Sequence, residues 1–190
     1  MGRSSTRGRR PPAARTTPRP STSGVAVGPA LASAATPRAW QGLTLRPLEE
    51  AGRARALFDF AALPWPTTAN PLLAWGAFEP ASGGETLVGA AVAEAAGRVA
   101  LLHGPVVVAE REPLELAGHL IGTIIDHATA AGARTLFAQP QGLDRLWVRF
   151  GFVPVPEGTL PAGLSGRLGD GLYAWRDGSA VWSLRDVANG

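Results

Sequence analysis

The chain has 190 residues, 45% of them hydrophobic, enough for one domain of ordinary size with a substantial core. It contains no cysteine, which excludes disulfides, thiolate nucleophiles and cysteine-based metal sites together, and no apolar run approaches the ~18–20 residues of a membrane-spanning helix. The formal charge of +3 divides unevenly: residues 1–37 hold six Arg and no acid, and the remainder holds twelve Arg against all fifteen acids and nets −3. The body is thus mildly acidic, and the basic balance of the whole chain does not point to a specific nucleic-acid partner. All 18 basic residues are Arg, a sign of GC-rich coding rather than of chemistry, and the three scattered histidines do not suggest a metal site.

Residues 1–37 are mostly Arg, Ser, Thr, Pro, Ala and Gly, with Val25, Val27 and Leu31 as the only larger aliphatics. So little apolar surface cannot offset the entropy of ordering, and the segment is expected to be a disordered basic tail or an over-extended gene start. A secretory signal competes: the Arg-rich start, the weakly apolar stretch 24–32 and Ala32-Ser33-Ala34 fit loosely, but Gly28 and Pro29 thin the apolar part. Arg9-Arg10 lacks the apolar residues that follow a twin-Arg signal. Any binding of phosphate backbones by this tail would be non-specific. The domain proper is expected over 38–190, in the cytoplasm.

The stretch 41–48 alternates and reads as a strand, after which Glu49 and Glu50 open a helix with apolar positions Ala54, Leu57, Phe58, Ala61 and Ala62, ended by Pro64. Trp65, among loop-forming prolines, is either a packing plug or part of a pocket lid. A strand over 73–78, a turn at Ser82-Gly83-Gly84, and an antiparallel pair over 86–94 and 99–108 follow. His103-Gly104-Pro105 interrupts the last of these: Pro removes a ladder donor and Gly permits a bulge, so the strand should bend there.

Leu116, Leu120, Ile121, Ile124, Ile125 and Ala128 form one stripe at helical spacing, which predicts a helix over 114–131 with Pro113 in its first turn and Gly132 past its end. A strand over 134–139, a short helix over 143–150 and Gly151-Phe152 come next, then a Pro/Gly-rich loop over 154–171. Leu172-Tyr173-Ala174-Trp175 and Ala180-Val181-Trp182-Ser183-Leu184 flank Arg176-Asp177-Gly178-Ser179, which signals a C-terminal β-hairpin.

A strand, helices, an antiparallel meander and then a strand–helix–strand unit closed by Leu146-Trp147-Val148-Arg149-Phe150-Gly151-Phe152 resembles the layout of the GNAT N-acetyltransferase superfamily. The resemblance implies an α/β fold with a central mixed, mostly antiparallel sheet flanked by helices and a splayed strand at the cofactor cleft. It also implies acetyl-CoA as co-substrate, with backbone groups of Val106, Val107 and Val108 facing it. The superfamily's Gln/Arg-x-x-Gly-x-Gly/Ala pattern falls on Glu115, Gly118 and Leu120, so Gly118, His119 and Leu120 are the implied pyrophosphate contacts, with Arg111 the nearby cation. Glu115 stands where the family has a donor, with Glu110 and Glu112 close by, and carboxylates there repel an arriving phosphate. Trp147 stands where many members place a Tyr acid, and indole cannot act as an acid near neutral pH.

Acetyl transfer to an amine needs a base, an oxyanion donor and a route for the leaving thiolate. His103, beside the bend, is the candidate base, against a purely structural strand His; Glu94 and Glu110 are alternatives at strand ends. Tyr173, the only Tyr, is the one phenol that could replace the missing acid. His119 could touch phosphate, and His127 reads as a residue complementing the helix dipole. The leading expectation is an N-acetyltransferase acting on a small-molecule or peptide amine, with no membrane partner and a homodimer left open. The alternatives are a catalytically inactive GNAT-fold ligand-binding or interaction module and an unrelated α/β domain.

Overall fold

A computed structural model describes Met1, residues 29–164 and 171–176. Eight strands form one sheet: β1 (Arg38–Trp40), β2 (Leu43–Pro47), β3 (Leu72–Ala81), β4 (Gly84–Ala96), β5 (Val99–Val107), β6 (Thr135–Ala138), β7 (Val153–Val155) and β8 (Leu172–Arg176). Their spatial order is β1-β2-β3-β4-β5-β6-β8-β7, and every neighbouring pair is antiparallel except β5 with β6. Four helices accompany them: α1 (Pro29–Ala34), α2 (Arg55–Phe60, preceded by a 3-10 turn at Ala51–Ala54), α3 (Pro113–Ala130) and α4 (Asp144–Arg149).

The strand expected over 41–48 is β2, and β1 precedes it as the other arm of a hairpin, because Gln41 and Gly42 both take positive φ (47° and 83°) and reverse the chain. Of the segment 1–37, residues 2–28 lie outside the described residues, and Pro29–Ala34 is helical and packs on α3. The second strand expected at the C-terminus, over 180–184, also lies outside them.

Helix α3 forms where the apolar stripe predicts it. Leu116, Leu120, Ile121, Ile124 and Ala128 are all buried, and the helix crosses one face of β3, β4 and β5. Each such Leu or Ile contributes about 1.5–3 kcal/mol relative to exposure. Gly89 permits the close approach, since a Cβ there would lie 3.0 Å from Leu120 Cδ1 and 3.3 Å from the Val106 carbonyl oxygen. The helix ends at Gly132 (φ +108°), where Ala133 N–H donates to the Ala128 carbonyl at 3.0 Å. The opposite face carries α2, with Phe58, Phe78, Val92 and Val106 in one cluster, and further along Leu101, Phe137, Leu160 and Leu172 in another. Trp65 packs edge-on against Phe58 at 5.3 Å, which makes it a plug.

Candidate functional site

The bend expected at His103-Gly104-Pro105 is a bulge. Val92 pairs with His103 and Ala90 with Val106, so β5 spends one residue more than β4 across this interval. Parallel pairing of β5 with β6 covers only Val99–Leu102 against Thr135–Ala138, and beyond it the two strands part. The Val108 N–H donates to the Val88 carbonyl at 2.9 Å, so Val108 and Val88 form a hydrogen-bonded pair. Alternation along an antiparallel ladder then turns the N–H and C=O of the preceding residue, Val107, to the edge away from β4.

A cavity of about 300 Å³ lies against that edge, at the lower limit of ordinary small-molecule sites. Pro105, Val106 and Val107 line it from the strand, and Pro113, Leu114 and Ala117 from the start of α3. Ala61, Leu63 and Leu143 complete an apolar wall, and Gln141 is the only polar residue among the described lining. This is the position, at strand end and helix start, that a strand–helix–strand unit offers a ligand.

The structure distributes the other expected contacts more widely. Val108 and Arg111 line a separate cavity of about 460 Å³ with Trp40, Glu79 and Glu110. Gly118 and His119 line a third, of about 200 Å³, with Arg38, Glu115 and Arg149, and the His119 ring stacks on Trp40 at 4.8 Å. Leu120 does not reach any ligand position: it is fully buried in the core between α3 and the sheet. At the start of α3, Glu112 takes φ 46° and its carboxylate accepts from Gln41 Nε2 at 2.6 Å, while Arg149 stands 4.0 Å from Glu115.

His103 lies on the face opposite α3, its side chain 10% exposed. Its Nε2 faces Glu94 Oε2 at 3.5 Å, too far for a good hydrogen bond, and has no hydrogen-bond partner among the described residues. Burial lowers the His103 pKa below 6.5, and Glu94 opposes that shift by its charge and proximity. Glu94 itself, one of the alternative bases, is fully buried. Its Oε1 accepts from Thr68 Oγ1 at 2.7 Å and from Asn70 Nδ2 at 2.6 Å, and Asn70 Nδ2 also donates to the Gly163 carbonyl at 2.6 Å. No local sequence signal marks these partners, since Thr68, Asn70 and Gly163 come from segments remote from Glu94 in the chain.

Tyr173 and His103 are not brought together. Tyr173 packs with the α3-side cluster, and its hydroxyl donates to Asp144 Oδ1 at 2.7 Å, a bond that raises its pKa above 10. Trp147 is fully buried against Phe152 at 5.0 Å, with no partner for its indole N–H among the described residues. His127 is not the cationic helix-end residue its position suggested: Trp75 Nε1 donates to its Nδ1 at 3.0 Å, which requires an unprotonated nitrogen, and burial lowers its pKa.

Solved structures share this overall architecture. An acetyltransferase of the GNAT family from Staphylococcus aureus MU50 matches 70% of this chain and 98% of its own, with a TM-score of 0.52 at 11% identity. The chain has the GNAT fold. An acetyltransferase from Streptococcus agalactiae 2603 shares this GNAT-like architecture over 72% of this chain and 99% of its own (TM-score 0.51, 13% identity). NAA60 of Arabidopsis thaliana, solved in complex with acetyl-CoA, does so over 71% and 98% (TM-score 0.52, 15% identity). No family model and no curated protein matches the sequence. Among the described residues no helix is long and apolar enough to cross a membrane.

Proposed function

We propose that the chain is an N-acetyltransferase that moves an acetyl group from acetyl-CoA to an amine, carried by a small molecule or a peptide, with His103 as the base. The observation that carries this reading is the apolar cleft between β5 and the start of α3, opened where β5 and β6 part. In such a transfer the acceptor's ammonium loses a proton, its nitrogen adds to the thioester carbonyl, and the C–S bond breaks to release a thiolate. The Val107 N–H, on the cleft edge of β5, would donate to the oxyanion. His103, whose lowered pKa keeps it neutral near pH 7, would take the ammonium proton, with Glu94 stabilising the imidazolium that forms. The acceptor would approach from the face opposite α3, near the meeting of Asn70 and Gly163. Tyr173 holds Asp144 at the start of α4 rather than serving as the acid, and a thiolate of ordinary pKa, ~8.5, leaves without a dedicated donor.

The test is acetyl-CoA-dependent thiol release and acetyl transfer across a panel of primary amines. His103→Gln should lower kcat/KM by about 10²–10⁴-fold while leaving thermal unfolding cooperative. Wild-type turnover no faster than buffer would sink the reading, and an unimpaired His103→Gln variant would move the base elsewhere. A second reading, a GNAT-fold binding module without transfer, is favoured by the buried indole of Trp147 in place of a phenol and by the carboxylates at the start of α3. Saturable stabilisation by acetyl-CoA without turnover would select it.

A further inference from the structure

We propose that this site recognises its acyl donor by the pantetheine thioester arm alone, with no favourable contribution from the nucleotide, so that its donor class is acyl-pantetheine thioesters in general. The inference rests on the acetyltransferase reading and narrows it.

An anion is held at a helix start by unpaired backbone N–H groups and the positive end of the dipole. Helix α3 offers little of either. Its first residue, Pro113, has no N–H, and the Leu116 N–H is already bonded to the Glu112 carbonyl at 3.0 Å, which leaves Leu114 and Glu115 in the first turn. The Glu112 carboxylate is fixed beside this terminus by Gln41, and Glu115 occupies the first turn. Arg111, the cation nearest in sequence, lines the cavity on the other side with Glu79 and Glu110. Leu114, 61% exposed, presents a hydrocarbon side chain where a phosphate would need a donor. A pyrophosphate arriving here would meet carboxylates and aliphatic surface.

The cleft itself is suited to what remains of such a donor. Its wall is aliphatic apart from Gln141, and the Val107 N–H and C=O lie on the open strand edge. A pantetheine arm is a slender chain with amide groups spaced along it, able to pair with a strand edge while its methylenes contact Leu63, Leu114 and Leu143. The phosphorylated nucleotide would lie outside, in solvent, where Arg149 already stands 4.0 Å from Glu115.

Isothermal titration of the full chain with acetyl-CoA, acetyl-pantetheine and adenosine 3′,5′-bisphosphate tests this. The two thioesters should bind within about threefold of each other at low salt, the bisphosphate should not bind, and added salt should tighten acetyl-CoA only, by screening the carboxylates. Glu115→Gln should tighten acetyl-CoA by about two- to tenfold and leave acetyl-pantetheine unchanged. Acetyl-CoA binding about tenfold or more tightly than acetyl-pantetheine, and weakening with salt, would overturn the proposal while leaving the acetyltransferase reading intact. Binding of the bisphosphate alone would do the same. Failure of both thioesters to bind would remove the proposal and the acetyltransferase reading together.

Discussion

The two faces of the central sheet use the same strands for opposite ends. Toward α3, β4 and β5 present Ala91, Ala93, Ala100 and Leu102 to Leu116, Leu120, Ile121 and Ile124, and the buried Trp75–His127 hydrogen bond links a complementary donor and acceptor. Away from α3, alternate residues of those strands place Glu94 and His103 under the segments that carry Thr68, Asn70 and Gly163. Apolar burial of the first kind stabilises any sheet. Burial of a carboxyl beside an imidazole is costly unless its oxygens are paired, and Thr68 and Asn70 supply that pairing for Glu94. The contrast sets a face of apolar packing with one matched polar pair against a face whose apolar clusters also enclose a buried carboxylate and imidazole.

The sharpest way to break that contrast is Glu94→Ala. It removes the acceptor of two hydrogen bonds, from Thr68 and Asn70, to a buried carboxylate, and we expect a loss of about 3–5 kcal/mol in urea-induced unfolding. A cost below about 1 kcal/mol would mean the polar face has no structural stake. Leu120→Ala, on the apolar face, should cost about 2–5 kcal/mol by lost burial and a cavity, by the same amount at every pH, because nothing it touches titrates specifically. A loss that varied strongly with pH would show the two faces to be coupled.

Acid sensitivity gives a smaller and finer measure. His103 and His127 both have pKa values lowered by burial, so the folded chain binds fewer protons than the unfolded chain as pH falls below 6.5. Their contribution to stability is complete above that value and is lost as pH falls toward the folded-state values, with a slope of up to about 1.4 kcal/mol per pH unit for each group. Denaturation curves from about pH 8 to pH 5 should show this decline, and His127→Phe should remove its share of the slope while lowering stability throughout. Stability that rose on acidification would reverse the assignment.

Much of the fold was legible because its determinants are local. The stripe from Leu116 to Ala128 specifies α3, His103-Gly104-Pro105 specifies the bulge, and Gly151-Phe152 closes α4 onto the next strand. The first arm of the hairpin, β1, was missed because its three residues, Arg38-Ala39-Trp40, are too few to show an alternation. The site was far less legible, since its partners lie far apart in sequence: Glu94 is 24 residues from Asn70, and Asn70 is 93 from Gly163. A glutamate in a strand reads as exposed until such donors are seen to cover it. His127 misled for the same reason, because the residue that decides its protonation, Trp75, is 52 positions away.

The bulge in β5 works as a spacer. Deleting one residue between His103 and Val106 would close it into a regular ladder and leave Val106 opposite Ala90 and Val107 opposite Gly89, because β4 already spans the interval with one residue fewer. What the extra residue supplies is the local bend and twist of the strand, not the direction in which the Val107 amide points. Among descendants of this sequence, loss of Gly104 would therefore straighten β5 beside the cleft while leaving every lining side chain unaltered.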